Sequence, residues 1–130
     1  MSEEKRYRAG RVTLLLPLML FIVLPAIAAQ TLPEVNSFSR QQIFANWVQS
    51  RCLGKIADSA SLKDDANASA AAWLEASTLP VEEFEEADTV IDRQLKEKVG
   101  GTGVGEYQVL KCTLIADSDA IHKLYGKNAE

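Results

Sequence analysis

A chain of 130 residues with 14 basic against 18 acidic side chains, a formal charge of −4 and 47% hydrophobic residues is long enough for one modest core. The acidic balance argues against nucleic acid as a partner, since that binding rests on neutralising phosphates with Lys and Arg. One histidine and two cysteines leave few residues from which a catalytic or metal-binding set can be assembled.

In chain order, Lys5, Arg6, Arg8 and Arg11 precede an apolar run from Val12 to Ile27, closed by the small-residue signal Ala26-Ile27-Ala28. A basic start, a short apolar stretch and small residues at a cut read as a secretory signal peptide over residues 1–28. The run is shorter than the roughly 20 residues of a spanning helix, and Pro17 and Pro25 interrupt it. Residues 29–130 are then a single domain outside the cytoplasm, off the membrane once the signal is cut. Losing the signal removes four basic and two acidic side chains, so this part is more acidic than the whole. A basic protein partner suits such a surface.

Gln30 to Asn36 reads as an extended lead-in. Ser37 or Ser39 caps a first helix to about Ile56, with apolar Ile43, Phe44, Trp47, Val48, Cys52 and Ile56. These positions span more than half the circumference, which predicts a central helix packed on two sides. Arg51 falls inside that arc and needs a partner or a route to solvent. Ser61-Leu62-Lys63-Asp64 resembles a capping box opening a second helix to about Ser77, with Leu62, Ala66, Ala70, Trp73 and Leu74 on one face. A third helix runs from about Pro80 to Val99 on the stripe Val81, Phe84, Ala87, Ile91, Leu95 and Val99. Glu82, Glu83, Glu85 and Glu86 open it and Lys96 and Lys98 close it, the order that the helix dipole favours. Asp88 sits on the apolar stripe, so Arg51 and Asp88 are expected to pair across the core.

Gly100 to Gly105 forms a glycine-rich break. A fourth helix covers Glu106 to Ala116, and Ser118 caps a fifth from Asp119 to Tyr125. No segment keeps the two-residue alternation of a strand. The expected architecture is therefore all-α, a small bundle of four to five helices. Cys52 and Cys112, an even pair in a small exported domain, favour one disulfide over free thiols. A catalytic cysteine is the competing reading.

No reactive constellation emerges. The glycine segment follows a helix and does not fit G-x-G-x-x-G, so it is a connection or a partner-binding loop rather than a phosphate site. His122 lacks the partners of a hydrolase or a metal site and reads as a surface residue. The four glutamates of the third helix point in different directions and do not converge on one ion; they stabilise the dipole or offer an acidic patch to a basic protein. Asn67-Ala68-Ser69 matches a glycosylation sequon inside a helix. No cofactor and no metal ion are expected.

Several short motifs, taken in order, resemble a known group. They are the signal, Asn46-Trp47-Val48-Gln49-Ser50-Arg51-Cys52-Leu53, Lys63-Asp64-Asp65, Ala71-Ala72-Trp73-Leu74-Glu75, the Glu-rich third helix, the Gly-Gly loop, and Leu110-Lys111-Cys112. Together, over about Arg40 to Leu124, they look like the periplasmic immunity proteins of type VI secretion amidase effectors, the Tai and Rap families. The resemblance implies a small all-helical domain, often a homodimer, with an internal disulfide whose positions Cys52 and Cys112 occupy. It further implies a non-catalytic inhibitor in the periplasm that blocks the groove of an NlpC-type peptidoglycan amidase. Two elements are the candidates for contact with that partner. One is the loop Gly101, Thr102, Gly103, Val104, Gly105 and Glu106; the other is the acidic turn with Glu82, Glu83 and Glu86. The loop holds more glycine than a rigid wedge, so ordering it costs entropy on binding. A small acid-stress chaperone is the alternative, since sixteen carboxylates losing charge at low pH would open such a domain. A peptidoglycan-active enzyme is a third reading, and the missing catalytic set argues against it.

Overall fold

Every regular element among the described residues is helical. A computed structural model describes Gly10, residues 31–99 and residues 107–127. The chain divides into two units, Met1–Thr31 and Leu32–Glu130. The expected signal peptide, apart from Gly10, and the glycine loop lie outside the described residues. No described helix is long and apolar enough to cross a membrane. After a 3-10 turn at Val35–Ser37 come α1 (Arg40–Ile56), α2 (Ala60–Ala76), α3 (Val81–Gln94), α4 (Gln108–Ala116) and α5 (Asp119–Gly126).

Helix α1 is the hub. It packs most extensively on α2, then on α4, α3 and α5, while α5 also packs on α3. Its wide apolar arc explains this, since Ile43, Phe44, Trp47, Val48 and Cys52 are all buried. Ser39 is the cap of the two expected candidates, its Oγ accepting from the Gln42 N–H at 3.2 Å. Around the hub, Phe84 meets Phe44 and Trp47 edge-on, with ring centroids 5.3 and 4.9 Å apart. On α5, Ser118 accepts from the Ile121 N–H at 3.4 Å, and Ile121 and Leu124 turn inward.

Helix α2 differs from its expected reading in two ways. The cap is Ser59, whose Oγ accepts from the Leu62 N–H at 3.3 Å, so Ser61 already lies in the first turn. Its buried residues are Ala66 and Ala70, whereas Leu62 and Leu74 are exposed. Close approach through small residues is the reason. A Cβ added at Gly54 of α1 would lie 2.7 Å from Asn67 Oδ1 and 3.7 Å from the Ala66 Cβ of α2, so the absence of a side chain on α1 makes room for α2. Trp73 turns aside to stack edge-on against Phe38, 5.3 Å away.

Helix α3 stops at Gln94 rather than at Val99. Beyond it, the N–H groups of Lys96 and Glu97 donate to carbonyls three residues back, in a tighter turn. The Leu95 carbonyl accepts from Lys111 Nζ of α4 at 3.3 Å, which satisfies one of the acceptors that a helix end leaves open. Val81, at the head of the expected stripe, is 55% exposed. Val90, absent from that stripe, is buried. Helix α4 begins at Gln108, two residues later than expected.

Cys52 of α1 and Cys112 of α4 form the disulfide, with Cα atoms 5.5 Å apart and a sequence separation of 60. Both are completely buried. In the chain-entropy treatment, closing a loop of that size stabilises the fold by roughly 4 kcal/mol. A small domain needs that help.

Candidate functional site

Between α1 and α3 lies a ladder of charge. Arg51 and Lys55 are one turn apart on α1, and Asp88 and Asp92 are one turn apart on α3. Arg51 Nε donates to Asp88 Oδ1 at 2.7 Å, while Lys55 Nζ donates to Asp88 Oδ2 at 3.0 Å and to Asp92 Oδ1 at 2.8 Å. Arg51 Nη1 also reaches Asn67 Oδ1 of α2 at 3.2 Å, so the cluster joins three helices. Partial burial pushes the Asp88 carboxyl up. The hydrogen bonds and positive charges of Arg51 and Lys55 outweigh that and hold it below its ordinary value. The cluster is an internal clasp rather than a reactive centre, because every acid in it faces a cation.

Three of the four glutamates of α3 share a side. Glu82, Glu85 and Glu86 are exposed at helical spacings of three and four, which corrects the expectation that all four diverge. Glu83 leaves that patch altogether, being only 7% exposed. The inward side of α3 is set by Phe84, Ala87, Val90 and Ile91, and position 83 falls within that arc, between Val90 and Ala87. Glu86 is met by Lys127 at 3.0 Å, with both side chains more than half exposed, so this contact adds little stability. The resulting surface is an acidic strip along the first turns of α3.

Two further surfaces accompany the strip. An open groove of about 410 Å³ is lined by Trp47, Ala70, Ala71, Leu74, Val81 and Phe84 together with Arg51, Asn67 and Asp88 of the clasp and Glu85 of the strip. The outer side of α4 exposes Val109, Leu110 and Leu114, at 63%, 42% and 49%, with Tyr107 just before them. Such residues grouped on one helix mark a contact surface more often than scattered ones do.

Gly101 to Glu106 lie outside the described residues. His122 is on the surface of α5, its Nε2 3.2 Å from Asp117 Oδ1. Asn67 of the sequon is held by Arg51 within α2, which leaves it a structural residue. Among the described residues no three His, Cys, Asp or Glu side chains are grouped so as to hold a metal ion. The cysteines are spent on the disulfide. What the arrangement offers is recognition: a charged strip, a groove of mixed lining and an apolar helix face on a cross-linked frame.

Reading from the sequence paired Arg51 with Asp88 but missed Lys55, Asp92 and Asn67. The signal for the first two was present, since each lies four residues beyond a member of the pair. Nothing local marks Asn67, whose role depends on how closely α2 approaches α1.

Residues 42–125 match the family described as type VI secretion system amidase immunity proteins, Tai4. A comparison with curated proteins gives no match. Among solved structures, the chain is similar to the immunity protein Tai4 of Enterobacter cloacae, seen in crystals with the effector Tae4 of Salmonella typhimurium. Identity is 72%, the match covers 73% of this chain and 98% of that one, and the TM-score is 0.69. The Tae4–Tai4 complex of Enterobacter cloacae itself gives 72% identity, with 73% and 97% of the two chains covered and a TM-score of 0.69. The Tae4/Tai4 system of Salmonella typhimurium matches at 24% identity, over 77% of this chain and 99% of that one, with a TM-score of 0.66; at that identity it speaks for the fold alone.

Proposed function

The chain belongs to the Tai4 family of type VI secretion system amidase immunity proteins, and we propose that it works by binding a Tae4-type amidase in the periplasm and covering that enzyme's active-site groove. The observation that carries this reading is the 72% identity to an immunity protein crystallised with its effector, matched over 98% of that protein's length. The surfaces fit a binding role. An inhibitor that covers a groove needs complementarity and a rigid frame, and the disulfide and the three-helix charge clasp supply the frame.

In this reading residues 1–28 direct export and are removed, and 29–130 are the working domain. Glu82, Glu85 and Glu86 meet basic residues at the rim of the amidase groove, steering the encounter by charge. Glu83, being buried, takes no part. Residues Gly101–Glu106 enter the groove, where glycines let backbone approach closely without side-chain bulk. The domain pairs with a second copy of itself through the exposed α4 face. That face suits self-association of an acidic chain, because no carboxylate occurs between Glu106 and Asp117. Family membership takes precedence over the chaperone alternative, which rested on composition.

The test is a titration of the oxidised domain, residues 29–130, against a Tae4-type amidase at neutral pH with peptidoglycan as substrate. Loss of cleavage near one equivalent is expected. Full cleavage in the presence of excess folded, oxidised domain would overturn the reading.

A further inference from the structure

We propose that the cleft between the start of α1 and the α4–α5 corner is a binding site for a neutral N-acetylated sugar, the kind of unit that the glycan strands of a cell wall present. The cleft holds about 270 Å³, close to the lower end of small-ligand sites, which run from about 300 Å³ upward. That is room for one ring rather than for an extended chain. It shares no lining residue with the acidic strip of α3 or with the exposed face of α4. The inference therefore stands apart from the inhibitory role proposed above.

The base of the cleft is apolar, with Phe44 and Ile121 each 1% exposed and Ala116 6% exposed. Around that base stand the hydroxyls of Ser39 and Tyr125, the amides of Gln41 and Gln42, the imidazole of His122 and the carboxylate of Asp117. The backbone that carries them is held in place. Ser39 Oγ accepts from the Gln42 N–H at 3.2 Å, the Asp117 N–H donates to the Thr113 carbonyl at 3.2 Å, and the His122 N–H donates to the Ser118 carbonyl at 3.0 Å. A frame set before the ligand arrives lowers the cost of ordering it. The side chains of Gln41, Gln42 and Tyr125 make no hydrogen bond to other described residues, so their donors and acceptors stay open to a ligand.

The charge of the lining selects the ligand. No Lys or Arg lines the cleft, and its one carboxylate, Asp117, already faces His122 Nε2 at 3.2 Å. An anion would meet Asp117 with no permanent cation to hold it, and a cation would have to displace His122. A neutral ligand that both donates and accepts is what remains. An extended peptide held by its backbone needs a row of open N–H and C=O groups on a sheet edge, and no described element is a strand. A sugar ring meets the lining as it stands. Its hydroxyls donate to Asp117 and exchange hydrogen bonds with the glutamine amides in both directions. Its C–H face lies against the Tyr125 ring. The acetamido methyl group reaches the apolar base, and a hexose without that methyl should bind about fourfold more weakly.

The experiment titrates the oxidised, isotope-labelled domain, residues 29–130, with the methyl glycosides of N-acetylglucosamine and of glucose, following backbone amide shifts by NMR. Saturable shifts confined to residues 39–45 and 116–125 are expected, at lower concentration for the acetylated sugar. Two variants act by different routes: Ala45→Phe fills part of the cleft, and Asp117→Ala removes an exposed acceptor. Each should weaken binding by about fivefold or more, the equivalent of one lost hydrogen bond, and melting curves confirm that both fold. Wild type and both variants are also sedimented with purified cell-wall sacculi, before and after enzymatic removal of the stem peptides. Retention that survives peptide removal and falls in both variants places the sugar in the glycan strands; saturable shifts without retention place it in solution. Retention that disappears with the stem peptides would assign the cleft to peptide and overturn the proposal. Shifts that are absent from residues 39–45 and 116–125, or unchanged in both variants, would overturn it without reference to the wall.

Discussion

Replacing Asp88 by Ala removes the acceptor at the centre of the α1–α3 clasp. Arg51 loses a 2.7 Å hydrogen bond and Lys55 one of 3.0 Å, while Arg51 keeps Asn67 and Lys55 keeps Asp92. Each lost bond joins charged groups, worth about 1.5–3 kcal/mol when screened from water. The side chains are 37%, 30% and 19% exposed for Arg51, Asp88 and Lys55, so solvent screening reduces that sum substantially. The expected loss is about 2 kcal/mol, or roughly 8–16 °C in Tm for a domain of this size. Thermal melts of the oxidised domain read it, and a double-mutant cycle with Arg51→Ala isolates a coupling of about 1 kcal/mol. The pH dependence has a definite sign. Because the folded state holds the Asp88 carboxyl below its ordinary value, its contribution is complete above the unfolded carboxylate range, near pH 4. It is lost as pH falls through the lower folded value, so the gap between wild type and Asp88→Asn closes in strong acid. An Asp88→Ala change within about 0.3 kcal/mol of wild type would refute the clasp.

Other substitutions probe the rest of the frame and the surface. Gly54→Val puts a Cβ 2.7 Å from Asn67 Oδ1, so Asn67 must move and give up its bond from Arg51, and denaturant titration should show a loss of about 1–2 kcal/mol. Phe84→Ala empties the junction of Phe44 and Trp47 and is expected to cost about 3–5 kcal/mol by the same measurement. Reversing charge at Glu82, Glu85 and Glu86 together should leave Tm nearly unchanged and slow association with the amidase by about tenfold or more at low salt, as read by stopped-flow or surface-binding kinetics. An unchanged association rate would remove the acidic strip from the binding surface.

The helices were legible because their determinants are local. The apolar arc of α1 carries the pattern in a few residues, and Ser118 marks the start of α5 by its side chain alone. The Arg51–Asp88 contact was legible for a different reason, since a charge on an apolar stripe must find a partner. Other features were hidden because they depend on approach distances between helices. Leu62 and Leu74 fit the α2 stripe by spacing, but the close contact with α1 is made by the buried Ala66 and Ala70 and by Asn67 against Gly54. Ser59 took the cap because α1 ends at Ile56 and the chain turns at once. The end of α3 was misplaced because the group that satisfies the Leu95 carbonyl comes from Lys111, sixteen residues later.

The two sets of carboxylates on α3 explain why an acidic strip can coexist with a stable bundle. Asp88 and Asp92 pair with Arg51 and Lys55 of α1, which offsets their charge, although Asp92 is 58% exposed. Glu82 and Glu85 lie on the exposed side, where their charge reaches solvent and whatever approaches through it. The clasp therefore does more than hold two helices together: it fixes the rotation of α3 about its own axis. If α3 turned by one residue, about 100°, Asp88 would leave Arg51 and the strip would face a different direction. Stability and the direction of the acidic face are thus coupled through a single helix. That coupling separates the two kinds of variant. Loss of Asp88 should lower stability first and weaken binding only as α3 loosens, whereas charge reversal on the exposed side should weaken binding in a domain that melts as before.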